Sequence, residues 1–183
     1  MRTITIHAGH NKSAKVACGA SDYLDESKEA RYIVKEVKRA LRGKVKVVDC
    51  TVNNGTSQKD VLQKIVKKCN AVKRDMDISI HFNASNHSEK DGKSKGVECW
   101  EYENKGYYSI ANRICYNISD LGFYNRGVKI SKSLYFLKNT NKPSLLIEVC
   151  FVDDEDDAIL YKKKKKKVAL AIADAIKKYY GLD

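Results

Sequence analysis

Short apolar runs alternate with amphipathic helical stretches along the chain, and this alternation constrains the fold more than any other feature. The run from Ser144 to Phe151 is nearly continuously apolar, which predicts a central strand buried on both faces. The stretch from Glu26 to Leu41 carries apolar residues at helical spacing and is followed by Gly43. Strands that alternate with helices form largely parallel sheets. We therefore predict a single α/β domain, with a twisted, largely parallel central sheet of about six strands and helices on both faces.

The same patterns place the remaining elements. Hydrophobic periodicity and turn residues predict strands over 3–7, 45–52, 77–82 and 96–102, short strands over 128–130 and 134–137, and helices over 57–72, 107–121 and 168–179. The lysine run 162–167 is interpreted as the solvated start of the last helix, although it could instead bind an anionic polymer.

Composition limits the class of protein and of partner. Hydrophobic residues make up 43% of the 183 residues and charged residues 32%, which is ordinary for a globular domain. No apolar run approaches the ~20 residues that span a bilayer, so we expect no membrane insertion. The N-terminus has no apolar segment typical of a secretory signal. We therefore expect the six cysteines to be free thiols. The net charge of +12 favours anionic partners such as nucleic acid, a membrane surface or an anionic wall polymer.

Two histidines follow predicted strands in the same way. His10 comes after the first strand and Gly9, and His81 ends the strand at 78–80. A single histidine at such a position is more often a hydrogen-bonded loop residue. Ligand-binding residues of open α/β sheets gather at the carboxyl ends of the strands, so two such histidines in one parallel sheet are expected at the same edge.

Glu26 lies on the apolar side of its helix, about 40° from Ala30 at ~100° per residue, whereas Glu29 falls outside this stripe. A buried carboxylate needs a partner, and a metal ion would supply one. A carboxylate facing the helix dipole is the alternative interpretation.

Glu148 stands inside the apolar run of the last strand, where an ionised carboxylate is costly unless it is paired or reaches a cleft. Apolar surroundings raise a carboxyl pKa, as a general base beside a metal site requires. An ion pair with a residue such as Arg126 is the alternative. Two histidines and a carboxylate with an open fourth position make a typical catalytic zinc site, to which a further glutamate can add a general base.

These segments together resemble the zinc-dependent N-acetylmuramoyl-L-alanine amidases of the amidase-3 type, the catalytic domains of phage endolysins and bacterial autolysins. The resemblance runs over almost the full chain. It is carried by the segments Ile6 to His10, Gly19-Ala20, Glu26, Ser79 to Asn83, Arg126 to Lys129 and Leu146 to Asp157. Two positions depart from the family pattern: His7 stands where the family often has an acidic residue, and Asn11 where a glycine is usual.

The resemblance implies that His10, Glu26 and His81 bind Zn²⁺ and that Glu148 is the catalytic carboxylate. His7 could compete as a ligand but is interpreted as a supporting residue. Asn83, Arg126 and Lys129 are weaker candidates for substrate contact. The implied substrate is peptidoglycan, a glycan strand with a stem peptide, cleaved between the lactyl group of muramic acid and L-alanine. Other anionic wall polymers are possible partners, and no nucleic-acid binding is expected.

The resemblance also bears on organisation. We expect one catalytic domain over 1–183 with no separate wall-binding domain, acting as a monomer. Synthesis in the cytoplasm without a signal peptide, and release to the wall through a membrane lesion, fit an endolysin best.

Three alternatives stay open at this point. A zinc carboxypeptidase acting on wall peptides would share the metal site. A cysteine hydrolase could use Cys150 with His81, because Cys150 lies two residues after Glu148 and so on the same face of a regular strand. A basic wall-binding or nucleic-acid-binding module would keep the fold but would not need Glu148.

Overall fold

The computed structural model describes residues 1–85, 90–103 and 108–182, the side chains of residues 108 and 109 excepted. The chain alternates between strands and helices. The strands are β1 (Thr3–Ala8), β2 (Lys46–Asp49), β3 (Met76–Asn83), β4 (Val97–Glu101), β5 (Asn125–Ile130) and β6 (Ser144–Phe151). The helices are α1 (Glu26–Ala40), α2 (Gln58–Asn70), α3 (Tyr108–Ser119), α4 (Tyr135–Asn139) and α5 (Glu155–Tyr179). Residue 107, the predicted start of α3, lies outside the described residues.

The six strands form one sheet in the order β2-β1-β3-β6-β4-β5. Strands β2, β1, β3 and β6 are parallel to one another. Strand β4 pairs antiparallel with β6 and parallel with β5, so the last two strands run in the opposite direction. The predicted single α/β domain with a largely parallel six-stranded sheet is therefore confirmed.

Helices cover both faces of the sheet, as predicted. One core cluster packs α1, α3 and α5 against the sheet, with Ile33, Ile114 and Ile172 fully buried. A smaller cluster packs α2 and α4 against the opposite face, with Ile65 and Phe136 buried. Residues of α2 and α4 on this second face also line a cavity together with side chains of β3 and β6, and this is the face that carries the candidate site.

Side-chain caps fix where three of the helices begin. Asp25 caps α1 by accepting a hydrogen bond from the Lys28 backbone N–H at 3.0 Å. Ser57 caps α2 and Asp154 caps α5 in the same manner. Each cap accepts a donor that the first helical turn leaves unpaired.

Two local predictions are wrong. Residues 134–137 belong to the region of α4 and not to a strand, because a helical turn lets Phe136 and Leu137 pack together in the core cluster with α2. The lysine run 162–167 lies in the interior of α5 and not at its start, since this helix begins at Glu155 after the Asp154 cap. Most of these lysines face solvent, as the sequence suggested.

Within the part of the chain that is described, no helix combines the length and the apolar character needed to cross a membrane.

Candidate metal centre and active site

Three side chains converge at the carboxyl edge of the parallel strands. The Oε1 atom of Glu26 lies 3.3 Å from His10 Nε2 and 3.1 Å from His81 Nδ1. One donor atom from each of the three residues falls within 4.8 Å of the others. The two imidazole rings meet edge to face with centroids 4.9 Å apart. These residues are separated by up to 71 positions in sequence, and the sheet brings them together.

The strand register explains this convergence. Ala8 is the register partner of Ile80, and the Gly9 N–H donates to the Ile80 carbonyl at 3.0 Å. His10 therefore leaves β1 at the level where His81 projects from β3. His81 lies within β3 and not at its end, since the strand continues to Asn83. Glu26 is the first residue of α1 and is buried, as its helical phase predicted.

Two glycines leave the space that the metal-site side chains occupy. A Cβ atom at Gly9 would lie 1.9 Å from the imidazole of His81. A Cβ atom at Gly19, where φ is +84°, would lie 2.3 Å from Glu26 Oε2. Backbone and side chain approach so closely that any other residue would displace a candidate ligand.

Hydrogen bonds orient the Glu26 carboxylate toward the histidines. Its Oε1 atom accepts from the Phe82 N–H at 3.1 Å, and Oε2 accepts from the Ala20 N–H at 2.9 Å. Burial by itself would raise the pKa of Glu26, but the bonds with His10 and His81 outweigh this and hold it well below the usual value. Burial lowers the pKa of His81 despite its contact with Glu26. The ionised Glu26 carboxylate and the neutral His81 imidazole are in the protonation states that bind a metal.

The donor set fits a catalytic zinc site. Zinc is bound by histidine nitrogen and carboxylate oxygen, and tetrahedral ligand atoms ~2.1 Å from the metal lie about 3.4 Å apart. The two His–Glu separations of 3.1 and 3.3 Å are close to this value. Three protein ligands leave the fourth position for substrate or water.

Glu148 lies beside this centre. It is the register partner of His81 across β3 and β6, so both side chains project from the same face of the sheet. Its Oε2 atom is buried and has no hydrogen-bond partner among the described residues. Burial, with the charges of Glu26 and Glu98, raises the pKa of Glu148 well above its usual value. The alternative ion pair with Arg126 is not formed, because Arg126 binds Glu98 instead.

A cavity of about 240 Å³ opens at the centre. Its lining includes His10, His81 and Glu148, together with Phe136 of α4. His7 also lines it and is buried, with Nε2 unpartnered among the described residues. Burial lowers the pKa of His7 to about 3, so its ring is neutral at ordinary pH. His7 lies outside the group of three whose donor atoms converge.

The three candidate substrate-contact residues meet a residue that the sequence analysis missed. Glu98 of β4 accepts from Asn83 Nδ2 at 3.1 Å, Arg126 Nε at 2.6 Å and Lys129 Nζ at 2.5 Å. Glu98 is the antiparallel register partner of Glu148. Its sequence signal was the one used for Glu148, a carboxylate within an apolar strand, here between Val97 and Cys99.

Arg31 was also missed. Its Nη2 atom donates to the carbonyl oxygens of His10 and Val52, both at 3.0 Å, and thereby ties the His10 loop to α1. Asn11, which departs from the family pattern, is buried and bonds the Val16 and Gly55 carbonyls with its amide. Both residues support the loop that carries His10.

The cysteine-hydrolase alternative loses its geometric basis. The register shift after His81 leaves β6 with an extra residue, so Cys150 does not continue the alternation of Glu148. Cys150 is fully buried in the core cluster with α1, α3 and α5. Burial also raises the pKa of its thiol, which disfavours the thiolate that a nucleophile needs.

The family model of the N-acetylmuramoyl-L-alanine amidases, Amidase_3, matches residues 4–178, which is nearly the whole chain. The chain belongs to this amidase family. Members of the family are generally zinc-dependent, in agreement with the His-Glu-His cluster.

Two curated proteins are also similar to this chain. An uncharacterized 38.4 kDa protein of Clostridium perfringens is 36% identical over 162 residues, which are 87% of this chain and 46% of that protein. The amidase LytC of Bacillus subtilis is 30% identical, over 97% of this chain and 35% of its own length. The chain thus spans less than half the length of these two relatives.

Among solved structures, the catalytic domain of the CD27L endolysin, which targets Clostridia difficile, superposes with a TM-score of 0.82 at 27% identity. The match covers 96% of this chain and 97% of that domain. The similarity to this domain therefore extends over the whole fold.

Proposed function

We propose that this amidase-family chain is a zinc-dependent N-acetylmuramoyl-L-alanine amidase. It cleaves peptidoglycan at the amide between the lactyl group of muramic acid and L-alanine of the stem peptide, and so lyses the cell wall. The observation that carries the proposal is the position of Glu148, which lines the same cavity as His10 and His81, the two histidines that converge with Glu26. A metal-binding or wall-binding module alone would not need a carboxylate with a buried, unpaired oxygen at that place.

In this proposal His10, Glu26 and His81 hold the zinc ion. Zinc in such a site supplies Lewis acidity toward the scissile carbonyl and toward water. Glu148 accepts the proton of the attacking water and delivers it to the nitrogen of the leaving amine. The C–N bond breaks, the lactyl group becomes a carboxylate, and the stem peptide leaves with a free alanine N-terminus. The raised pKa of the carboxyl suits a group that takes up and returns a proton.

The test is release of stem peptides from purified peptidoglycan by the wild type and by Glu148→Gln, with and without a zinc chelator. We expect chelator-sensitive release of peptides with a new alanine N-terminus. Glu148→Gln should lower the rate by about 10²- to 10⁴-fold, the usual contribution of a general base, while its zinc content, measured by atomic absorption, stays at the wild-type level.

The products separate the amidase from its nearest rival. A zinc carboxypeptidase would free single amino acids from the stem, and finding them in place of whole peptides would overturn the amidase proposal. Release of stem peptides that continues in the presence of the chelator would show that the activity does not depend on zinc. Wild-type binding to walls with no release from any wall type would favour the non-catalytic module.

We further propose that the chain acts on the wall from outside the membrane after passing a membrane lesion, as an endolysin does. The similarity to the CD27L endolysin domain supports this. Protein made inside cells should then lyse them only after the cytoplasmic membrane has been permeabilised, and lysis without permeabilisation would contradict this route.

A further inference from the structure

One polar cluster beside the candidate active site has no role in the proposed proton transfer. We call it the Glu98 cluster: Asn83, Glu98, Trp100, Arg126 and Lys129. Glu98 is its hub, because Trp100 Nε1 donates to its Oε1 atom at 3.0 Å in addition to the bonds from the other three. Four donors on one carboxylate fix the positions of the surrounding side chains.

The cluster carries a surplus of positive charge. Arg126 and Lys129 contribute two cations, and Glu98 neutralises one of them. Burial by itself would raise the pKa of Glu98, but Lys129 and Arg126 hold it below the usual value, so the carboxylate is ionised. One unit of positive charge therefore remains at the cluster.

The cations are also accessible to a ligand. The side chains of Arg126 and Lys129 are 32% and 34% exposed, whereas that of Glu98 is 3% exposed. Arg126 uses Nε for Glu98, and its Nη1 atom reaches the Lys95 carbonyl at 3.4 Å. Its Nη2 atom has no hydrogen-bond partner among the described residues. A guanidinium edge of this kind can bind a carboxylate.

Aromatic rings hold the two cationic groups in place. The Arg126 guanidinium lies 5.0 Å from the centroid of the Phe151 ring, and Lys129 Nζ lies 5.2 Å from that of Trp100. Such contacts restrict the two long side chains before a ligand binds, so less conformational entropy is lost on binding.

The cluster lies within reach of a peptide at the candidate active site. Glu98 faces Glu148 across β4 and β6, and Glu148 faces His81 across β6 and β3. With strands about 4.8 Å apart, the Glu98 backbone lies about 10 Å from that of His81 on the same sheet face. An extended peptide advances about 3.5 Å per residue. When the stem alanine lies at the zinc site, the next stem residue and its side groups can therefore extend from the zinc site to the Glu98 cluster.

We propose that Arg126 and Lys129 form a subsite for a free carboxylate on the stem-peptide residue that follows L-alanine. This inference rests on the proposed amidase function, because that function places the alanine at the zinc site. The subsite makes the charge of the stem peptide a determinant of specificity. Glu98 keeps both cations aimed at the subsite and prevents an excess of unpaired charge.

The test uses two synthetic muramoyl tripeptides that differ at one group, a free carboxylate or a carboxamide on the second residue of the stem. The wild type should show a KM about tenfold lower for the carboxylate form, as expected for one charge-assisted contact. Arg126→Gln and Lys129→Met should each bring the ratio of the two KM values to within about twofold of one.

Lys46→Met is the matched control. It removes one positive charge from an exposed position on β2, at the opposite end of the sheet order from β5. We expect it to keep the wild-type ratio, since a general loss of net charge does not affect a local contact. Circular dichroism melts show that each variant is folded.

Calorimetry gives the affinities of both tripeptides for the Glu148→Gln protein. This measurement makes the test of the subsite independent of turnover. If the wild type cleaves neither tripeptide nor peptidoglycan, the amidase proposal fails. A calorimetric preference for the carboxylate form that disappears in Glu148→Gln/Arg126→Gln would then still support the subsite. Three results would overturn the subsite proposal. They are equal affinity for the two tripeptides, no binding of either, and an undiminished preference for the carboxylate form after loss of Arg126 and Lys129.

Discussion

At the scale of single residues, Gly9 determines how closely β1 can approach the imidazole of His81. The imidazole ring of His81 occupies the space beside the Gly9 Cα atom, and a Cβ atom added to Gly9 would lie 1.9 Å from that ring. An added methyl group therefore cannot be accommodated without moving the histidine or the strand.

We expect Gly9→Ala to lower zinc affinity by about 10- to 100-fold, the range seen when the support of a metal ligand is altered. Peptidoglycan hydrolysis should fall in parallel and should recover in part at high zinc concentration. Competition with a fluorescent zinc chelator gives the affinity.

Gly43→Ala serves as the comparison. This glycine has φ +77° and nothing within 4 Å of an added Cβ, so the substitution costs about 1 kcal/mol of backbone strain without touching the metal centre. Equal zinc affinities in the two variants would refute the packing argument for Gly9.

At the scale of elements, the start of α1 positions the Glu26 ligand. Asp25 caps this helix through the Lys28 N–H and also accepts a 2.6 Å hydrogen bond from the Ser13 hydroxyl. The cap thus ties the loop after His10 to the first turn of the helix that carries Glu26.

We expect Asp25→Ala to lower the free energy of unfolding by about 1 kcal/mol, the usual value of an N-cap. Asp25→Asn, which keeps the acceptor oxygen, should lose less. Urea denaturation of both variants and the wild type at pH 7 measures the difference.

The pH dependence of this cap has a defined sign. Burial alone would raise the pKa of Asp25, but its bonds with Ser13 and Lys28 lower it below the usual 3.8. The stabilisation is therefore present above the unfolded pKa and is lost as the pH falls through the folded value. If the stability difference between the wild type and Asp25→Asn increased on acidification, it would contradict this pH dependence of the cap.

At the scale of the whole molecule, the reversed strand β4 places a second carboxylate in the interior. Glu101 is 2% exposed, and neither of its oxygens has a hydrogen-bond partner among the described residues. Burial raises its pKa from 4.5 to about 7.

This shift predicts a change in global stability between pH 4.5 and 7. In that window the unfolded chain releases the Glu101 proton while the folded chain retains it, so stability falls as the pH rises and then levels off above 7. We expect the stability of Glu101→Gln to gain about 3 kcal/mol relative to that of the wild type between pH 4 and pH 8.

Urea denaturation of both proteins at several pH values, in the presence of a chelator, provides the measurement. The metal-site groups titrate alike in the two proteins. Their contribution to the pH dependence of the free energy of unfolding therefore cancels when the two proteins are compared. A stability difference that is independent of pH would show that Glu101 ionises normally in the folded protein.

Much of this architecture could be predicted from local pattern. The apolar stripe of α1 placed Glu26 on its buried side, and the structure confirms that placement. The apolar run 144–151 gave the bounds of β6 without change. Such features depend on periodicity within one element, which the sequence displays directly.

Other features depended on pairing between distant segments. The four residues 134–137 form a short apolar run like that of a strand, yet packing against α2 made the segment that includes them helical. The extra residue in β6 after Glu148 turned Cys150 into the core, and no local signal marks it. The antiparallel direction of β4 brought Glu98 opposite Glu148 and drew Arg126 and Lys129 to it.

The sequence by itself determined the α/β class, the order of the elements apart from α4, and the residues with the chemistry for a zinc site, because these follow from side-chain type and local spacing. Only the tertiary structure decided that His10, Glu26 and His81 meet within hydrogen-bond distance, and that Arg126 and Lys129 pair with Glu98. Strand direction and register arise from contacts between segments far apart in the chain, and those contacts are settled only when the sheet is complete.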